Sequence, residues 1–172
     1  MVNSSSKISG KYRKKIERSR KEEQEFGPGK KDIVMCKKCD AVYYYKSWHH
    51  GLAEYQSLSE DKRVDFALCP ACQMIEDNTF EGRVIFKNVP AMYKDTILAN
   101  IKNTGERAHT RDPLDRIIKT IDTGDTVEVL TTENQLARNI ARQVERAFKG
   151  AKTDTSWSKE ESGARVVVVF AD

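Results

Sequence analysis

Cys36-Lys37-Lys38-Cys39 and Cys69-Pro70-Ala71-Cys72 are the segments of this chain whose residue types and spacing point most directly to chemistry. Two residues between thiols let both sulfurs reach one metal ion from a single tight turn. Two such turns complete the tetrahedral shell that zinc prefers. The chain has four cysteines and all four fall in these pairs, so none is left over as a disulfide partner. In a reducing compartment such pairs are metal ligands more often than bridges. Cys36, Cys39, Cys69 and Cys72 are therefore expected to hold one Zn2+, with Lys37 and Lys38 favouring the thiolate form of the first pair. A shell of four thiolates is closed and has no position left for activating water, so the expected zinc is structural.

Little else in the chain suggests catalysis. His49 and His50 follow an aromatic run and His109 sits in a polar one. With the thiolate shell already full, all three are expected to be ordinary surface or packing histidines. There is no Gly-rich phosphate loop, no G-x-S-x-G and no H-E-x-x-H. The sequence thus predicts a protein that is not an enzyme and takes no small-molecule substrate.

Charge and aromatic patterning suggest contact with nucleic acid instead. The chain carries 30 Lys and Arg against 26 Asp and Glu, and the excess is not evenly spread. Residues 1–31 hold ten basic and four acidic residues, leaving the remainder slightly acidic. Arg13, Lys14, Lys15, Arg18, Arg20 and Lys21 are the densest basic group. A flexible cationic tail gains affinity for polyphosphate by releasing counterions and needs no fixed shape to do so. On a helix over 133–149, Arg138, Arg142, Arg146 and Lys149 fall opposite the apolar arc, making a second basic face. A third candidate is the run Tyr43-Tyr44-Tyr45 with Trp48, flanked by Lys37, Lys38 and Lys46. Rings beside cations are the mixture used by single-strand binders, and Tyr44 or Trp48 is expected to face solvent.

The elements that must position these residues fall into three parts. Residues 1–31 have few apolar side chains and are expected to be a disordered basic tail, helical only against a partner. Residues 32–81 form the zinc-binding module, with a helix or short turns expected over 54–66. Residues 82–172 read as strand 83–89, helix 93–108, strands 116–121 and 126–131 around the turn Asp122-Thr123-Gly124-Asp125, helix 133–149, and strands 152–157 and 165–170. The first six of these elements match the split βαβ plan, so the expected fold is α+β: a tetracysteine module followed by a ferredoxin-like βαββαβ(β) sandwich. No stretch approaches the roughly 18 apolar residues of a membrane span, and no membrane contact is expected; the reading is a soluble, cytoplasmic protein.

One combination of features goes beyond generic spacing. Cys36 and Cys39 followed by Ala41-Val42-Tyr43 and Trp48, then Cys69-Pro70-Ala71-Cys72, then Leu136-Ala137-Arg138-Asn139-Ile140-Ala141 leading to Ala147-Phe148-Lys149-Gly150, resembles the bacterial zinc proteins related to nonsense-mediated decay protein three, a ribosomal adaptor. The resemblance covers about residues 33–170. It implies a zinc-stabilised adaptor that touches the large ribosomal subunit or its RNA, acting in ribosome assembly, stability or translation. Only the four zinc ligands carry over residue by residue. The eukaryotic and archaeal relatives have more cysteine pairs, and their nuclear-transport regions have no counterpart here, so export does not carry over. A DNA-binding, transcription-associated zinc module and a protein-interaction adaptor are the alternative readings.

Overall fold

The computed structural model describes residues 13–14, 33–44, 46–51, 64–156 and 165–171. The chain is α+β, with two larger mixed sheets and, among the described residues, three α-helices.

The first larger sheet contains β2 (Ile33–Cys36), β3 (Ala41–Tyr44), β4 (Ser47–His50) and β5 (Val64–Ala67), in the order β4-β3-β2-β5. β2, β3 and β4 form an antiparallel meander, whereas β5 runs parallel to β2. Ile33, Val34, Ala41 and Val42 are its buried apolar residues. The helix or turns expected over 54–66 lie mostly outside the described residues, and their last part is corrected: Val64–Phe66 belongs to β5. Beta-branched and aromatic side chains at Val64 and Phe66 favour a pleated strand. Helix α1 (Pro70–Glu76) follows at once. Its signal is Pro70, whose fixed φ and missing N–H suit the first helical position.

A two-residue strand, β1 (Arg13–Lys14), lies parallel to β6 (Thr79–Phe80). The rest of the expected disordered tail lies outside the described residues.

The second larger sheet is built from β7 (Gly82–Lys87), β8 (Ile117–Asp122), β9 (Val127–Thr131), β10 (Ala151–Ser156) and β11 (Arg165–Phe170). Helix α2 (Lys94–Arg111) joins β7 to β8, and α3 (Asn134–Ala147) joins β9 to β10. The strand order is β10-β11-β7-β9-β8. β11 is parallel to β7 and lies between it and β10; the other neighbouring pairs are antiparallel. The sheet is therefore mixed, where the split βαβ plan has an antiparallel one. The apolar run Val166–Phe170 is the reason, since it can fill an interior place in the sheet, while polar Lys152 and Thr153 suit the edge.

Both helices cover one face of this sheet. Ile97, Ile101 and Ala108 of α2 and Leu136, Ala137, Ile140, Ala141 and Val144 of α3 repeat at helical spacing. They pack on Val84, Phe86, Val127, Val129, Val166, Val168 and Phe170, which share one face by strand alternation. On the opposite face Arg83 and Glu128 form a buried ion pair, with Ile85 and Leu130 buried beside them. The β8–β9 turn is closed by the Gly124 N–H donating to Asp122 Oδ1 at 2.9 Å, with Gly124 at φ +99°. Lys94 at the start of α2 reaches this turn, pairing with Asp122 at 2.6 Å and donating to the Gly124 carbonyl at 2.9 Å.

Candidate metal centre and basic surfaces

The parallel pairing of β2 with β5 brings the two cysteine pairs together. Register places Cys36, the last residue of β2, opposite Ala67, and the Lys37 N–H donates to the Ala67 carbonyl at 3.0 Å. The chain then bends through Cys39 into β3 on one side and through Cys69 into α1 on the other. Cys69 is the N-cap of that helix and Cys72 lies in its first turn. The four Sγ atoms lie within 4.8 Å of one another, with Cys39 and Cys69 at 3.7 Å. Sulfurs at the corners of a tetrahedron with metal–sulfur bonds of about 2.3 Å are about 3.8 Å apart, so the donor set fits one metal ion. Among the described residues this is the only group of three or more His, Cys, Asp or Glu side chains so arranged.

Backbone donors converge on the sulfurs. Cys36 Sγ accepts from the N–H of Lys38 at 3.4 Å and of Cys69 at 3.3 Å, and Cys69 Sγ accepts from the N–H of Cys72 at 3.4 Å. These bonds favour the charged thiolate. At Cys36 burial works to raise the pKa, but the N–H groups of Cys69, Lys38 and Cys39 outweigh it and bring the thiol down to about 6. Burial pushes Cys72 up to about 11 and raises Cys69 as well. Crowded, buried thiols of this kind ionise together only when a cation supplies the compensating charge. Ala41, Ala71, Trp48, Leu68 and Leu114 pack around them and limit access of water.

A cation from the second sheet's unit completes the surroundings. Arg116, just before β8, donates from Nη1 to Cys72 Sγ at 3.6 Å and from Nε to the Pro113 carbonyl at 2.9 Å. The loop that carries it is fixed from both sides. The Arg116 N–H donates to Thr132 Oγ1 at 2.8 Å, the Thr132 hydroxyl donates to the Leu114 carbonyl at 2.6 Å, and the Leu114 N–H donates to Asp112 Oδ1 at 2.8 Å. Sequence reasoning missed Arg116, because nothing local marks a residue that meets its partner through tertiary structure.

The histidines have structural neighbours. His49 Nε2 lies 2.8 Å from Ser47 Oγ and 3.1 Å from the Tyr44 carbonyl. His50 faces Asp40 through Nδ1 at 3.5 Å and the His109 carbonyl through Nε2 at 2.5 Å, and its ring meets the His109 ring edge-on. None of the three belongs to the cysteine cluster.

The expected nucleic-acid residues are distributed unevenly. Arg142, Arg146 and Lys149 are exposed along α3 and just beyond it, while Arg138 is half-buried and engaged by a neighbour. Glu145, interleaved among them in sequence, is turned aside: it accepts the Thr153 N–H of β10 at 3.1 Å. Lys37 and Lys46 are exposed, and Lys38 pairs with Glu76. The expectation that Tyr44 or Trp48 faces solvent is corrected, since both are half-buried. Trp48 packs on the cysteine cluster and its ring lies 5.5 Å from that of Tyr43, which covers a site with little core of its own. Arg13 and Lys14 are in β1, and Lys15, Arg18, Arg20 and Lys21 lie outside the described residues.

No helix among the described residues is long and apolar enough to cross a membrane. The chain matches no protein-family model and no curated protein.

Proposed function

We propose that this chain is a zinc-stabilised adaptor that binds RNA on the ribosome, with the large subunit as the favoured partner, in the cytoplasm. The observation that carries the reading is the exposed row Arg142, Arg146 and Lys149, whose interleaved Glu145 is drawn away to the Thr153 N–H. Withdrawing the carboxylate leaves Arg142 and Arg146 along one helix face with Lys149 just past its end, a cluster of positive charge suited to a phosphate backbone. Zinc is the metal this reading assigns to Cys36, Cys39, Cys69 and Cys72, because four thiolates in a tetrahedron are its structural ligand set. A closed thiolate shell supports a scaffold role over catalysis. The order β7-α2-β8-β9-α3-β10-β11 supports reading the second unit as a ferredoxin-like variant with β11 inserted beside β7. The resemblance to the bacterial relatives of nonsense-mediated decay protein three points to the same partner.

Co-sedimentation with ribosomes through sucrose at low and moderate salt tests this. The protein should travel with the large subunit, and reversal of Arg142, Arg146 and Lys149 to Glu should release it at moderate salt. Removing three phosphate contacts should lower the slope of log affinity against log salt by about 3. Absence from the ribosomal fractions at both salts would sink the proposal. Crosslinked promoter DNA in place of RNA would favour the transcription-associated reading instead.

A further inference from the structure

The turn that leads into α2 carries an exposed apolar patch. Ala91–Tyr93 form a single 3-10 turn. Met92 is 77% exposed, the most of any large apolar side chain among the described residues, and Tyr93 beside it is 45% exposed. Tyr93 is nonetheless held in place. Its ring lies 5.9 Å from that of Phe148 at 52°, and the Phe148 ring lies 6.3 Å from that of Phe170, which is buried in the core. This chain of rings runs from core to surface, so the outer ring has little freedom left to lose when something packs on it. Phe148 also places the patch beside positive charge: Lys149 follows it directly and Arg146 precedes it by two residues, both exposed. Of the acids near the turn, Asp122 is paired with Lys94, and Asp95 stands two residues from Tyr93, a spacing at which helix side chains do not face each other.

We propose that this patch is a stacking platform for an unpaired base of RNA, with the base on Tyr93, Met92 against its edge and the flanking phosphates on Lys149 and Arg146. The inference rests on the adaptor reading and adds to it that the RNA is single-stranded where it passes the end of α3. A protein ring stacks on a base that has left its helix, whereas cations alone hold paired and unpaired strands alike. Every base has a π face, so such a platform tolerates any sequence. Tyr44 and Trp48, the rings that sequence patterning put forward, are half-buried, whereas Tyr93 joins exposure, a fixed ring and neighbouring cations.

Fluorescence anisotropy with the full-length, metal-loaded protein tests the platform, with octauridylate as the single-stranded probe and a blunt RNA duplex as the paired control. Tyr93→Leu keeps an apolar contact on Phe148 but removes the π face. It should weaken octauridylate binding about tenfold while leaving duplex binding and the slope of log affinity against log salt unchanged. Tyr93→Trp should bind octauridylate at least as well as the parent. Reversal of Arg142, Arg146 and Lys149 to Glu should weaken both RNAs. If duplex binding falls on that reversal while octauridylate binding is indifferent to Tyr93→Leu, the basic row stands and the platform is overturned, leaving the patch to a polypeptide. No binding of either RNA at low salt would bring down the row and the platform together. Should Tyr93→Leu fail to fold, irradiation of the parent protein with octauridylate carrying 5-iodouridine decides the matter: a crosslink should map to Tyr93, and failure to recover one there would overturn the proposal.

Discussion

Arg116 Nη1 donates to Cys72 Sγ at 3.6 Å across 44 positions of chain, joining the loop before β8 to the cysteine cluster. Four thiolates around a divalent ion carry a net charge of about −2, and a partly buried site needs a counter-charge close by. Burial works against the Arg116 cation, yet Cys39, Cys72 and Cys69 outweigh it and hold the proton more firmly. Leu114 packs on the same cluster and His50 meets the His109 carbonyl, so polar and apolar contacts both tie the two units together.

Arg116→Met should therefore loosen the metal without removing a ligand. Groups that hydrogen-bond to metal ligands typically contribute about 10-fold or more to affinity. Transfer of zinc to a chromogenic chelator should be about 10-fold more favourable than in the parent protein, with Arg116→Lys in between. Equal transfer from all three proteins would show that the arginine is a bystander.

Metal removal should separate the two units. Elemental analysis is expected to find one zinc per chain, and Cys69→Ser to lower that content severely. Among its described residues the sheet formed by β2–β5 has only a few buried apolar side chains, so a metal bound by the four cysteines should supply much of its stability. Hydrogen exchange after chelation should lose protection across 33–50 and 64–76. Protection should persist in α3 and β7, whose core lies among Val84, Phe86, Ile140 and Val144. Uniform protection before and after chelation would contradict this division.

How much of this was legible in the sequence depended on the range of each interaction. The cysteine pairs stood out because ligand spacing is local, and α3 because Leu136, Ile140 and Val144 repeat within one element. Strand pairing was less accessible. The pattern of Arg165–Phe170 shows a strand fit for a sheet interior, but only long-range packing selects β7 as its neighbour. Likewise Val64–Ala67 is too short and too polar at Asp65 to announce a strand, and its parallel contact with β2 is what aligns the two cysteine pairs. Arg116 carries no local mark at all. Its role comes from Thr132, which holds the loop, and from Cys72, which lies in a different unit.

Gly82 marks a point where β7, β9 and α3 approach too closely for any side chain. A Cβ there would sit 2.2 Å from Thr131 Oγ1 and 2.7 Å from both Ala137 Cβ and the Glu133 carbonyl oxygen. Thr131 is its register partner in β9 and its hydroxyl already donates to the Glu133 carbonyl, so neither can yield freely. Gly82→Ala should cost about 2–3 kcal/mol in urea unfolding, as overpacking of a filled interior does. Gly124→Ala meets nothing within 4 Å and should cost only the strain of its positive φ, about 1 kcal/mol. A Gly82→Ala protein as stable as the parent would mean that β7 and α3 can separate without penalty.

Asp115 supplies a pH dependence of defined sign. Burial first, then the nearby carboxylates Asp112 and Glu133, push its pKa up to about 6 against the pull of Arg111. The folded chain thus keeps a proton at Asp115 that the unfolded chain has already released. Stability from this group is complete at low pH and falls as pH rises from about 4 to about 6, the reverse of a carboxylate held by a cation. Asp115→Asn should remove the dependence. Because the side chain is only partly shielded from water, the gain at pH 7.5 should be about 1 kcal/mol, shrinking toward zero near pH 4.5. The difference between variant and parent in urea unfolding at the two pH values isolates the effect, since metal-linked titration of the cysteines is common to both. A gain that grew as pH fell would require Asp115 to be ionised and stabilised in the folded protein.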